Sequence, residues 1–493
     1  MKKTVKLFSI CLLLFAMIQI SMAGPQEDLV TACKQGNLEG VKAALSSGAN
    51  INQMDALGQV PMGYAIMWPE VVTYLLTNGA DPNQGNTSAL YNAVVYYSVD
   101  VIKLLLAKGA DVNKGTTIPG NAEANIYQKL LDDEKAKGKK ANKMMIKSYE
   151  DLIAKAGPPK ADRNETPLQY AVANSNCVEC IKLLLDAGAK TDVRDYMENG
   201  NLIYNFASSA QEPKVRIDGW KSQIPTFETT YGMKFPDWFK NLDETRCGKA
   251  EDILILLLQK GLDVNDATTT YGYNALGRAL FYKKISIAKM LLQNGADPKI
   301  SINYHSGDKA LAEIFPICQA AEVGDLELMK LIVEKGADIN TRAKGMSLMN
   351  VQNLTGGENY TPLNLALANK KSEIAGYLIQ KGADINIGVE GYVAVRPQNI
   401  PDNVDLHCLV SVTKKTPIYW AIEAGSLDIV KLLAEKMLWK FNPDYTVKTL
   451  GVSVTQGVIT YNCITYKDKY SPSAWALEVG QKEIAAFLLS KGM

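Results

Sequence analysis

The chain holds 493 residues, 47% hydrophobic and 21% charged, with 37 glycines and 19 prolines, a composition that supports a large buried core and excludes a peptide, a collagen-like fibre or a disordered polyelectrolyte. Its 53 Lys and Arg are balanced by 52 Asp and Glu, so it lacks the cationic excess with which nucleic-acid binders neutralise phosphate. Two histidines, His305 and His407, are too few for most imidazole catalysis or zinc sites.

Lys2, Lys3 and Lys6 precede an apolar run from Leu7 to Ile20, and Ser21-Met22-Ala23 forms a small-residue cleavage site before Gly24. Residues 1–23 are therefore expected to be a secretory signal peptide, cleaved near Ala23, and the mature chain to be periplasmic or secreted. Cys11 lies inside the apolar run behind Phe8-Ser9-Ile10, which is not a lipidation site. Removing the three lysines takes the net charge from +1 to −2. No later segment has the length and apolarity of a membrane span.

Downstream, one pattern recurs. Gly-Ala-Asp or a near variant stands at Gly48, Gly79, Gly109, Gly188, Gly261, Gly295, Gly336 and Gly382, each after an apolar run with helical spacing such as Val101-Ile102-Lys103-Leu104-Leu105-Leu106. Glycine ends helices in a left-handed turn, so each one is expected to close a helix. A shorter helix is predicted upstream of each run, with a small-residue column at Ala65, Ala93, Ala171, Ala279, Ala320, Ala366, Ala421 and Ala476 that lets neighbouring helices approach closely.

Thr166-Pro167-Leu168-Gln169-Tyr170-Ala171, Thr361-Pro362-Leu363-Asn364-Leu365-Ala366 and Thr416-Pro417-Ile418-Tyr419-Trp420-Ala421 resemble the Thr-Pro-Leu-His-x-Ala signature of ankyrin repeats. The resemblance implies an all-α solenoid of about ten helix pairs with projecting β-hairpin fingers, whose fingers and inner helices bind other proteins. The repeats begin near Glu27, Pro61, Ser88, Thr166, Asn201, Asn274, Phe315, Thr361, Thr416 and Ser471. Residues 24–113 hold repeats one to three, 114–163 a helical insertion, 164–343 repeats four to seven with an insertion at 211–248, and 344–493 repeats eight to ten with extended fingers.

The insertions follow from the spacing. Gly109 to Gly188 is 79 residues and Gly188 to Gly261 is 73, against a family period of about 33. The first insertion, Lys114 to Lys160, is Lys-rich and reads as a helical hairpin with a solvated face. The second, Gln211 to Gly248, splits repeat five and carries Trp220, Phe227, Tyr231, Phe235, Trp238 and Phe239; these aromatics are expected to anchor it against the repeats rather than to form a binding platform. Three more insertions, between Asn340 and Thr361, Asn386 and Thr416, and Pro443 and Ser471, lengthen the fingers. In the last, β-branched and aromatic residues alternate around Gly457, from Val447 to Tyr466, as in a β-ribbon. Polar Gln26, Glu27 and Lys34 suit the first repeat to a wet outer face. The apolar helix from Ile484 to Leu489 is expected to be partly exposed or covered by the preceding insertion or a partner.

Motifs for catalysis are sparse. Ser286-Ile287-Ala288-Lys289 and Ser411-Val412-Thr413-Lys414 match Ser-x-x-Lys but lack the companion motifs of an acylation site. No metal site, cofactor or catalytic residue is expected. Outside the leader remain seven cysteines: Cys33, Cys177, Cys180, Cys247, Cys318, Cys408 and Cys463. Cys33 and Cys318 fall on first helices and read as buried and reduced. Cys177-Val178-Glu179-Cys180 opens a helix, where a thiol's pKa falls, so it is either a structural pair or a redox centre. A Cys408–Cys463 bond between adjacent fingers would close a 55-residue loop, stabilising by roughly 4 kcal/mol in the chain-entropy model.

The favoured reading is a non-catalytic protein-binding scaffold. Its alternatives are a thiol redox protein using Cys177 and Cys180, and an envelope polymer or carbohydrate binder. Tyr392, Arg396, Tyr445, Tyr461, Tyr466 and Tyr470 on or beside the long fingers are the expected partner contacts, on the concave side of repeats eight to ten, with Trp420 and Trp475 as candidate floor or core residues.

Overall fold

Repeats begin where a short polar side chain sits in extended backbone ahead of a helical turn. Thr361 (φ −90°, ψ 160°) accepts the Asn364 N–H through its hydroxyl at 3.2 Å, and Pro362 takes the first helical position, where its missing N–H would have no partner anyway. Ser88, Thr166, Asn274 and Ser471 cap their helices in the same way. At the other end of a repeat, Gly79 adopts φ 91° and the Ala80 N–H returns to the Leu75 carbonyl at 3.0 Å, a Schellman closure that only a residue without Cβ adopts readily. The seven other predicted helix-closing glycines also have positive φ.

The computed structural model describes residues 24–56, 58–118, 163–175, 177–194, 199–209, 213–242, 248–269, 272–306, 309–345, 354–395, 408–436, 446–449, 453–456, 459–462 and 470–493, with scattered positions between 128 and 153. Among them are ten ankyrin-type helix pairs. They are Pro25–Gln35 with Leu38–Ser46, Pro61–Tyr64 with Pro69–Thr77, Ala89–Val95 with Val99–Ala107, Pro167–Tyr170 with Val178–Asp186, and Leu202–Ser209 with Ala250–Gln259. They continue as Ala275–Phe281 with Ile285–Gln293, Pro316–Val323 with Leu326–Glu334, Pro362–Ala368 with Ser372–Gln380, Pro417–Glu423 with Leu427–Lys436, and Pro472–Glu478 with Lys482–Ser490. Two compact units contain them, one within Met1–Tyr196 and Ser209–Leu262, the other within Met197–Ser208 and Asp263–Met493. The division falls inside repeat five, at the insertion between its helices.

Within each unit the predicted alanine column forms the core: all eight of its alanines are 0% exposed. Asparagines at the hairpin turns set the register from one repeat to the next. Asn83 donates to the Gly109 carbonyl at 3.0 Å and accepts the Asp111 N–H at 2.7 Å, and Asn265 does the same with Gly295 and Asp297. Asn113 accepts the Lys190 N–H at 2.8 Å, so the ladder resumes across the first insertion. Strands β1 (Thr116–Ile118) and β2 (Arg163–Glu165) pair antiparallel and close that insertion's base. Its described positions between 128 and 153 are helical, with Leu131 buried and Lys135 paired to Glu150 at 3.0 Å.

The fingers of repeats seven to ten do not project singly. They join edge to edge. Repeat seven supplies β3 (Ile302–Ser306) and β4 (Lys309–Ile314), and repeat eight supplies β5 (Lys344–Gly345) and β6 (Leu354–Glu358). Repeat nine adds β7 (Val389–Val395) and β8 (Cys408–Lys415), and repeat ten adds β9 (Thr446–Thr449). The ladders β4–β5, β6–β7 and β8–β9 all run between neighbouring fingers. An isolated bridge from Ala343 to Tyr360 links the ends flanking β5 and β6. The expected ribbon around Gly457 is present as β10 (Ser453–Gln456) paired with β11 (Ile459–Asn462). The strand before it, β9, pairs with the finger of repeat nine instead. The β3–β4 finger was not foreseen from the sequence.

Candidate functional site

The groove of an ankyrin stack is lined by its first helices, and in unit one that lining is already occupied. The inserted helices Pro213–Tyr231 and Asp237–Lys240, with the segment between them, lie over repeats one to three. The Lys234 N–H donates to the Lys34 carbonyl at 3.2 Å, and Trp238 Nε1 donates to the Met67 carbonyl at 3.3 Å. Phe239, 1% exposed, meets Tyr96 edge to face at 6.3 Å and packs on Phe235 at 5.3 Å. The remaining gap is lined by Gly63, Tyr64, Met67, Asn92, Tyr96 and Met233. Phe227, Phe235 and Phe239 are buried, so these aromatics anchor the insertion. Lys34, placed 4.9 Å from the Tyr64 ring centre, has its pKa lowered chiefly by burial, against the opposing pull of Asp55 and Glu27.

In repeats seven to ten of unit two the corresponding face is packed internally. Gln319, Leu365, Trp420 and Trp475 occupy one column on successive first helices and are 2%, 4%, 3% and 3% exposed. The Lys415 ammonium, itself buried, lies 3.5 Å from the Trp420 ring centre and pairs with both Glu423 oxygens at 2.6 and 2.7 Å. Trp475 Nε1 donates to Glu423 at 3.1 Å. Burial lowers the Lys415 pKa, and Glu423 opposes that shift.

This arrangement corrects part of the sequence reading. Tyr470 is 4% exposed, stacked edge-on to Trp475 at 5.0 Å, and its carbonyl accepts the Tyr419 hydroxyl; it is a core residue and not a partner contact. Trp420 and Trp475 are core residues as well. Tyr392 sits on β7 opposite Ser411, and Tyr461 on β11 opposite Val454. Arg396, Tyr445 and Tyr466 lie outside the described residues. Cys408 opens β8 opposite Val395, and its expected partner Cys463 also lies outside them.

Cys177 and Cys180 are disulfide-bonded and 1% and 0% exposed. Cys177 is the N-cap of Val178–Asp186, its sulfur accepting the Cys180 N–H at 3.2 Å. Disulfide exchange needs a thiolate to reach one of the sulfurs, and burial blocks that approach. Cys33 and Cys318 are buried free thiols whose pKa values burial raises. Among the described residues no cluster of three His, Cys, Asp or Glu suits a metal, and no helix is long and apolar enough to cross a membrane.

Glu322, one turn beyond Cys318, has its pKa raised to about 8, chiefly by burial, with Lys283 opposing. In the window from the unfolded carboxyl value to about 8, the folded state holds a proton that the unfolded state has released. Stability of unit two is therefore expected to fall as pH rises from about 5 to 8, by on the order of 2 kcal/mol after solvent screening. Glu322→Gln should flatten this dependence. Hydrogen exchange of Pro316–Val323 against pH measures both, and an unchanged slope in the variant would remove Glu322 as its cause.

Stacked helix pairs, Schellman glycines and the asparagine ladder define the class of fold, that of ankyrin repeats. Family models match three parts of the chain. Residues 29–116 match the family model for ankyrin repeats in three copies, and residues 163–196 and 358–387 each match models of an ankyrin repeat. Alpha-latrocrustotoxin-Lt1a of Latrodectus tredecimguttatus is 30% identical over 128 residues, 26% of this chain and 8% of that protein. The match thus spans less than a tenth of that relative's length. The crystal structure of the human ASB11 ankyrin repeat domain is 16% identical, covering 72% of this chain and 98% of that one, with a TM-score of 0.35.

Proposed function

We propose that this chain is an exported, non-catalytic scaffold that binds a protein partner through the joined fingers of repeats eight to ten, with Tyr392, Arg396, Tyr445, Tyr461 and Tyr466 in the contact. The observation that carries this reading is the inter-finger pairing. Ladders such as β6–β7 and β8–β9 hold the lengthened fingers at fixed spacing, so the paired backbone has little ordering left to do on binding. The first-helix faces offer less, because the insertion lies over repeats one to three and the Gln319, Leu365, Trp420 and Trp475 column of repeats seven to ten is core. Export is supported by the charged start, apolar run and Ser21-Met22-Ala23. The Cys177–Cys180 bond is in keeping with an oxidising compartment.

The test is replacement of residues 390–414 and 446–468 by ordinary short hairpins in the mature chain, leaving buried Val389 and Lys415 in place. Helical CD should be retained while cross-linking of the natural partner, identified by mass spectrometry, is lost. Capture that survives both replacements would move the surface elsewhere. N-terminal sequencing of exported material should begin at or near Gly24; an intact Met1 form confined to the cytosol would end the export reading.

A further inference from the structure

Repeats three and six carry the same local device and differ in what covers it. In repeat three the first helix, Ala89–Val95, is followed by C-cap Tyr96 (φ −95°, ψ 10°) and then Tyr97 at φ 58°. Repeat six has Ala275–Phe281, C-cap Tyr282 (φ −86°, ψ 7°) and Lys283 at φ 55°. The two backbones thus present Tyr96 and Tyr282 alike. Tyr96 is met by Phe239 of the insertion, and Met233 lines the same gap. Tyr282 is 43% exposed and its neighbour Phe281 37%, among the few large apolar side chains so exposed in the described residues.

The uncovered face is also pre-ordered. Arg278 stacks its guanidinium over Tyr204 at 5.1 Å and Tyr282 at 4.7 Å, while Phe281 sits edge-on to Tyr282 at 5.2 Å and to Tyr273 at 6.0 Å. All of these residues belong to unit two. Aromatic and arginine side chains held in place before binding lose little entropy on contact and are the types that most often dominate interface energy. Arg278, Lys283 and Lys284 make the face cationic, and the neighbouring Glu322, held largely protonated near neutral pH, does little to offset them. We propose that Arg278, Phe281 and Tyr282 of repeat six form a docking site for a short, acid-flanked aromatic segment of a partner protein. The chain's own Phe235-Pro236-Asp237-Trp238-Phe239, seated on repeats two and three between Lys234 and Lys240, shows the aromatic pattern such a face accepts, and the acidic flanks answer the cations of repeat six.

The probe is a fluorescent peptide carrying Phe-Pro-Asp-Trp-Phe between glutamates, titrated by anisotropy against the mature chain, with a lysine-flanked version as charge control. Saturable binding at micromolar concentration is expected, tighter for the acidic peptide, and weakened about tenfold or more by Phe281→Ala with Tyr282→Ala. Both residues are exposed, so CD should confirm an intact fold. Lys283→Glu should weaken the acidic peptide and favour the basic one. Absence of binding, binding that survives the double variant, or a lysine-flanked peptide binding better would each overturn the proposal. So would loss of binding in Tyr96→Ala with the double variant unaffected, since the peptide would then be displacing the insertion. Self-association of the mature chain abolished by the double variant would make a second copy the occupant and also overturn it. The finger-replaced chain should still bind the peptide, so failure here and failure of the finger surface are read separately.

Discussion

Phe239→Ala is expected to release the insertion from the groove of unit one. The ring is 1% exposed and touches Tyr96, Phe235 and Trp238, and removing a fully buried phenylalanine costs about 3–5 kcal/mol in transfer and cavity terms. Among the described residues the same layer also holds the Lys234 and Trp238 hydrogen bonds, the Phe227–Phe235 pair at 5.8 Å and the buried Ile217, Met233 and Leu242. The repeats beneath have a core of their own, in which Ala65, Leu75, Ala93 and Leu105 are 0% exposed. Hydrogen exchange should therefore rise by two or more orders of magnitude in Pro213–Tyr231 and Asp237–Lys240, while the second helices of repeats two and three stay protected. Half-buried Tyr96 should become exposed and report the change by its reactivity. Unchanged exchange in the inserted helices would show that Phe239 is not what seats them.

What was legible in the sequence was whatever is fixed by local chemistry. A glycine required at positive φ, a Thr-Pro helix start and a recurring alanine column announce themselves in the sequence, and Gly79, Thr361 and Ala366 behave as read. Partner choice between strands is not local. Val447 to Tyr466 alternates as a ribbon should, yet β9 pairs with β8 of the preceding finger because the stack brings the two side by side. The β3–β4 finger was overlooked because Gly295 to Gly336 is only 41 residues, a modest excess over the period. Trp420 and Trp475 were ambiguous for a different reason. An aromatic in that column suits a groove or a core, and for Trp420 the choice is made by Lys415, which approaches from the end of a strand. Arg278 gave little signal because one of its two aromatic partners, Tyr204, comes from the preceding repeat across the second insertion.

The Lys415–Glu423 pair provides the other large effect, and its two halves should respond unequally. Lys415 has 2% of its side chain exposed and Glu423 has 29%, so the ammonium depends on its partner far more than the carboxylate does. Glu423→Gln keeps an acceptor for Trp475 Nε1 and removes only the charge. It leaves an uncompensated buried cation, which costs about 3–5 kcal/mol. Lys415→Met removes the buried charge, retains an apolar stem against Trp420, and leaves a carboxylate that water can reach; its cost should stay within about 1 kcal/mol. The pH dependence supplies an independent check. Burial already lowers the Lys415 pKa, and loss of Glu423 lowers it further. Between that folded value and the unfolded value of about 10.4, the unfolded state binds more protons, so stability rises with pH. The deficit of Glu423→Gln relative to the native chain should therefore shrink between pH 7 and about 10, as the folded state discharges Lys415. Hydrogen exchange over Pro417–Glu423 and Pro472–Glu478 reads the whole series. Equal costs for the two variants, or a deficit indifferent to pH, would mean that the ammonium is solvated by some other route and that the ion pair does not hold the end of β8 against the helices of repeats nine and ten.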